Sequence, residues 1–186
     1  MTAIVIDTVA GTIGRWWEGF SADMARILAP GADPMQAFND ALDGLPPIEP
    51  DFFWQGVEYP SEGFGMGTLT MDASVAIGVT EGVRLILLTP KGTPCVLSGY
   101  SQGAIVTYWL AHEFLEGGRL EDRFDDLVLI VNFGDPTCPK GTYPDGWGIT
   151  RLVWDPRLQS MLISYGNVGD MYPRAGEDTY LHIGFL

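Results

Sequence analysis

The sequence predicts an α/β fold of three layers around a mainly parallel sheet. Short apolar runs alternate with stretches of helical periodicity along the 186 residues, the pattern of strand–helix–strand units. Several of these runs are continuously apolar rather than alternating, as strands are when both faces of a parallel sheet are covered. The composition is globular, with 46% hydrophobic and 18% charged residues, and it shows no repeat and no low-complexity tract. The Pro-rich "GLPPIEP" (44–50) reads as a loop within one domain spanning residues 1–186.

Each element has its own signal. "AIVIDTV" (3–9) is short and rich in β-branched residues, and Gly11 follows it, so it reads as a buried strand. "FSADMARIL" (20–28) reads as a helix, with Ser21 as cap and Phe20, Met24, Ile27 and Leu28 at helical spacing. "DPMQAFNDAL" (33–42) repeats that pattern, with Asp33 as cap and Pro34 at the first helical position. Residues 51–60 read as a strand and a turn, and 67–90 as one helix stopped before Pro90. A strand at 93–99, a helix at 102–117 closed by Gly117 and Gly118, a strongly apolar strand at 125–136 and a last strand near 161–165 complete the pass.

Charge and targeting signals exclude several functions. The net charge is −14 and the only lysines are Lys91 and Lys140, so no basic stripe exists for a nucleic-acid backbone. The N-terminus lacks a basic region and a small-residue cleavage site, so it is not a secretory signal. The longest apolar region, 73–90, is broken by Glu81 and Arg84 and is too short and polar to span a bilayer. Cys95 and Cys138 lack Cys-x-x-Cys spacing and read as free thiols.

The chemistry concentrates in "VLSGYSQGAIV" (96–106). Ser101 lies between Gly99 and Gly103, after a predicted strand and before a predicted helix. That is the setting of a nucleophile elbow, where a sharp turn lifts the serine oxygen above the sheet and small neighbours avoid backbone clashes. The helix N-terminus supplies free N–H groups, so the Gln102 N–H is an oxyanion donor. The competing reading is a serine that only caps the helix, with glycines for close packing. A second donor belongs in the loop after an early strand. Thr12 in "TVAGT" qualifies through its N–H and hydroxyl, unless that segment is an ordinary turn. Trp16, Trp17 and Phe20 beyond it either line an acyl site or pack in the core.

Only two histidines are available as a base. His112 stands eleven residues after Ser101 on the same helix, roughly 16 Å away at about 1.5 Å per residue, and reads as a helix-surface residue. That leaves His182. Asp170, directly after the last strand, completes the chain order Ser101…Asp170…His182, which is one of the orders in which such triads occur. Asp135 in "NFGDP" is the rival acid. In this reading His182 takes the Ser101 proton, Asp170 orients the imidazolium, and Gln102 and Thr12 hold the oxyanion while an ester carbonyl is attacked. The mechanism needs neither metal nor cofactor.

The segments "TVAGT…GFSADMARIL", "VLSGYSQGAIV", "NFGDPTCPKG", "WDPR" and "SYGNVGDMYP", in this order, resemble the mycobacteriophage lysin B esterases. These belong to the cutinase-like branch of the α/β hydrolases. The resemblance covers about residues 3–173. It implies hydrolysis of the ester joining mycolic acids to arabinogalactan late in phage infection, with Ser101 as nucleophile and Asp170 as acid. The implied protein is made in the host cytoplasm and acts on the envelope lipid after release, or in association with the virion. The family carries a helical insertion between its acid and its histidine, whereas His182 follows Asp170 at a short spacing like that of cutinases. Two other readings stay open: a structural protein of a phage particle that kept the elbow and lost the base, and a general cutinase or lipase.

Overall fold

The computed structural model describes residues 4–12, 14, 52–63 and 65–177. Within them, five strands form one sheet in the order β2-β1-β3-β4-β5. The strands are β1 (Ile4–Val9), β2 (Phe52–Gly56), β3 (Cys95–Tyr100), β4 (Leu127–Phe133) and β5 (Leu162–Tyr165). All four pairings are parallel, so the α/β class with a parallel sheet expected from the sequence is the one found. β1, read as a buried strand, and β3 hold the centre, and nearly every residue of both is buried. β5 alternates between half-buried and exposed, as an edge strand with one open face does.

Helix α1 (Met71–Leu88) starts at Thr70, whose hydroxyl accepts the Ala73 N–H at 3.2 Å. Asp72 in its first turn suits the positive end of the helix dipole. Helix α2 (Gln102–His112) crosses α1 closely because α1 carries glycines at the contact. A Cβ on Gly82 would lie 2.5 Å from a Leu110 methyl, and one on Gly78 would lie 3.0 Å from a Val106 methyl. Val83, Ile86, Leu110, Leu97 and Ile130 form the main core between these helices and the sheet, and Val75, Val79 and Ile105 continue it toward β1. A short third helix, α3 (Pro156–Gln159), is capped by Asp155 and buries Leu158 in the main core.

The expected boundaries shift by a few residues at several ends, and two of the shifts have a visible cause. α2 ends five residues before Gly117, because the Glu113 carbonyl takes the Leu120 N–H at 2.8 Å and turns the chain away. The acidic start of the strand read at 125–136 belongs instead to a 3₁₀ segment, Glu121–Asp126. That segment exists because Arg123, only 5% exposed, caps the end of α1. Its guanidinium donates to the carbonyls of Ile86, Thr89 (2.9 Å) and Pro90 (3.0 Å) and pairs with Asp126 at 2.8 Å. The helices read at 20–28 and 33–42 lie outside the described residues.

Candidate active site

The carboxyl ends of β1, β3, β4 and β5 meet at one edge of the sheet, where parallel α/β sheets place their ligand sites. Ser101 sits there, between β3 and α2, with φ 54° and ψ −117°. A non-glycine residue in this region is strained and persists only where its surroundings enforce it. Here the enforcement is visible. The Ser101 N–H donates to Phe133 O at 2.9 Å, which continues the β3–β4 ladder into the turn. A Cβ on Gly99 would stand 2.5 Å from Gly103 O, and one on Gly103 would stand 2.3 Å from Val9 O. Both glycines are therefore required by backbone, which cannot step aside. The capping role weighed from the sequence fails, because the Ser101 side chain makes no cap hydrogen bond.

Gln102 opens α2, and the first N–H groups of a helix have no intrahelical acceptor. Thr12, in the turn after β1, shares a small cavity with Ser101 and Gln102, closed by Met71, Ile105 and Pro136. The expected donors Thr12 and Gln102 are thus brought to the serine. The Gln102 side chain does something the sequence did not suggest. It is 2% exposed, and its amide donates to Glu62 O at 2.8 Å. The Glu62 carboxylate in turn accepts the N–H groups of Leu69 (2.8 Å) and Thr68 (2.6 Å), which hold it below the usual range. The loop before α1 is thereby fastened to the elbow.

Asp170 lies in the loop after β5 and lines a cleft of about 510 Å³ with Tyr100, Gly134, Tyr143 and Gly166. Gly134 stands beside it at φ 52°, a backbone conformation that favours glycine. A Cβ there would be 3.4 Å from the Tyr100 ring and 3.6 Å from Asp170 Oδ2. One Asp170 oxygen accepts the Tyr172 N–H at 3.0 Å, while the other faces Gly134, next to the residue that precedes Ser101. Asp135 is placed differently. It is fully buried, and its Oδ1 accepts the Thr137 N–H (2.8 Å) and hydroxyl (2.7 Å) in a tight turn. Burial pushes its carboxyl above the usual range, against those hydrogen bonds.

His112 is not a simple surface residue. Its Nδ1 lies 2.7 Å from Tyr108 O, and its ring packs 4.2 Å from that of Tyr108 and 6.0 Å from that of Trp154. His182, Trp16, Trp17 and Phe20 lie outside the described residues. Cys95 and Cys138 are free and buried. Among the described residues no group of His, Cys, Asp and Glu side chains is arranged to hold a metal, and no helix is long and apolar enough to cross a membrane.

The structure of lysin B from mycobacteriophage D29 superposes with a TM-score of 0.69 at 29% identity, covering 93% of this chain and 67% of that one. The catalytic core domain of acetyl xylan esterase from Trichoderma reesei gives 0.65 at 20% identity, over 97% of this chain and 90% of that one. A cutinase-like protein from Cryptococcus sp. gives 0.58 at 18%, over 92% and 78%. At those last two identities the likeness concerns the fold, which is that of the cutinase-like branch of the α/β hydrolases. No curated protein matches the chain. The sheet and the elbow are those of the fold these neighbours share. The PE-PPE domain matches residues 50–151, more than half of the sequence, and takes in α1, β3, the elbow, α2 and β4: the chain belongs to the PE-PPE domain family.

Proposed function

We propose that the protein is a serine esterase of the lysin B kind, hydrolysing the ester between mycolic acids and arabinogalactan in the mycobacterial envelope. The observation that carries the reading is the elbow: a strained Ser101, enforced by two glycines with no room for a side chain and bound to no cap. Ser101 attacks the ester carbonyl while the N–H groups of Gln102 and Thr12 receive the developing negative charge. His182 takes the serine proton and returns it to the leaving alcohol, and Asp170 holds the imidazolium. Water then attacks the acyl-enzyme by the same route and releases the acid. The likeness to D29 lysin B supports the choice of substrate.

The test compares wild type, Ser101→Ala and His182→Ala on p-nitrophenyl butyrate. Serine-dependent turnover that falls by about three powers of ten or more in both variants is expected, since triad members act as a unit. Wild type without such turnover would sink the esterase reading, and full activity in His182→Ala would remove that residue as base. Release of free mycolic acid from mycobacterial envelopes then separates this substrate from the esters of a general cutinase or lipase.

A further inference from the structure

We propose that Arg174 is a positioning residue for Asp170, acting as the clamp that closes the loop carrying the acid. This rests on the reading of Asp170 as the acid of a serine esterase. The loop leaves β5 at Gly166 and returns at Pro173 and Arg174, and its two ends are pinned together. Arg174 Nη2 donates to Gly166 O at 3.1 Å. The Pro173 ring packs so tightly on Gly166 that a Cβ there would stand 2.3 Å from it.

The clamp is itself held from outside the loop. The Arg174 guanidinium lies 3.9 Å over the Tyr143 ring, and the Tyr143 hydroxyl donates to Ser164 O in β5 at 2.7 Å. Arg174 Nη1 pairs with Asp145 at 3.1 Å. The arginine side chain is 15% exposed, far less than its partner Asp145 at 47%. Arg174 makes no hydrogen bond or ion pair with Asp170. It fixes the stem, while the Asp170 N–H donates to Asn167 O and the Tyr172 N–H donates to the carboxylate within the loop. Tyr143 and Gly166, two of the three groups the guanidinium engages, also line the cleft that Asp170 lines. Arginine suits this place because its planar fork bonds a carbonyl and a carboxylate while its face covers a ring, whereas lysine makes one such contact at a time.

Removing the clamp should not unfold the segment. Ala175 and Trp147 exchange backbone hydrogen bonds of 2.9 and 3.2 Å, and the Ile149 N–H donates to Tyr172 O at 2.9 Å. What is lost is the placement of the acid, and misplacement of about 1 Å can cost on the order of 100-fold in rate.

The experiment measures kcat and KM on p-nitrophenyl butyrate for wild type, Arg174→Ala, Arg174→Lys, Asp145→Asn, Asp170→Ala and the Arg174→Ala/Asp170→Ala double variant. Near-UV circular dichroism confirms that each is folded. Arg174→Ala should lower kcat roughly 10- to 100-fold with KM little changed. Arg174→Lys should recover part of that loss, and Asp145→Asn should stay within about twofold of wild type. In the Asp170→Ala background, Arg174→Ala should cost nothing more, because a clamp without its acid has nothing to place. Equal losses in the two backgrounds, or a folded Arg174→Ala with wild-type kcat, overturn the positioning role while leaving the esterase reading intact. If Arg174→Ala does not fold, a wild-type kcat in Arg174→Lys overturns it instead. A wild type without serine-dependent turnover overturns both.

Discussion

Replacing Asp7 by asparagine should stabilise the protein, and by an amount that grows with pH. Asp7 lies in the middle of β1, fully buried, where β1 pairs with β2 and β3. Its Oδ2 receives the Cys95 thiol at 3.2 Å, and its Oδ1 has no hydrogen-bond partner. Burial raises its pKa from 3.8 to about 7, against smaller lowering by Cys95 and Arg123. A raised acid pKa means that the folded state binds the proton more tightly than the unfolded chain. Stability is then greatest below the unfolded value and falls as pH rises toward the folded one. At about 1.4 kcal/mol per pKa unit, the full penalty above pH 7 is on the order of 4 kcal/mol. Asparagine has the shape of the neutral acid and never ionises, so it escapes this penalty. The gain of Asp7→Asn over wild type, from urea unfolding, should be roughly 2–3 kcal/mol larger at pH 8 than at pH 5. Taking the difference between the two proteins cancels the pH dependence of every other group. A gain equal at both pH values, or a loss that deepens at pH 8, would mean that Asp7 is ionised and paired in the fold, and the reasoning would fail.

Further substitutions test the architecture around the site. Gly103→Ala places a methyl 2.3 Å from Val9 O and 2.6 Å from Ala10 O; we expect about 1–3 kcal/mol of lost stability or more, read from the urea midpoint, together with lost esterase activity. Arg123→Met removes the guanidinium from three carbonyls and leaves the buried Asp126 without its charge partner, with only the Gly92 N–H still donating to it, so roughly 3–5 kcal/mol should be lost in chemical denaturation. Thr70→Ala removes the cap of α1 and should cost about 1 kcal/mol by the same measurement.

Much of this molecule was legible in its sequence because its signals are local. The continuous apolar run of β3, the two glycines around Ser101 and the helix that follows are contiguous in the sequence. The parallel sheet followed from strands that lack alternation. What the sequence hid depends on contacts between distant segments. The 3₁₀ segment at Glu121–Asp126 exists to deliver Arg123 to carbonyls more than thirty positions earlier. The Gln102–Glu62 tie spans forty positions, and nothing in "GYSQG" says that the glutamine side chain holds a loop. Asp7 sat in plain view within "AIVIDTV", but hydrophobic periodicity only marks the strand as buried; it does not reveal that the carboxyl has one partner. Asp135 and Asp170 looked alike as carboxylates after a strand. Their surroundings differ: Asp135 is buried and bonded to Thr137, whereas Asp170 lines the cleft beside Tyr100 and Gly134.

The central claim is that Ser101 is an activated nucleophile, and covalent labelling tests it most directly. Incubation with a fluorophosphonate, followed by intact-mass and peptide mass spectrometry, should show a single adduct on Ser101 that is absent from Ser101→Ala. An unmodified wild-type protein, or an adduct that persists in Ser101→Ala, would contradict the account.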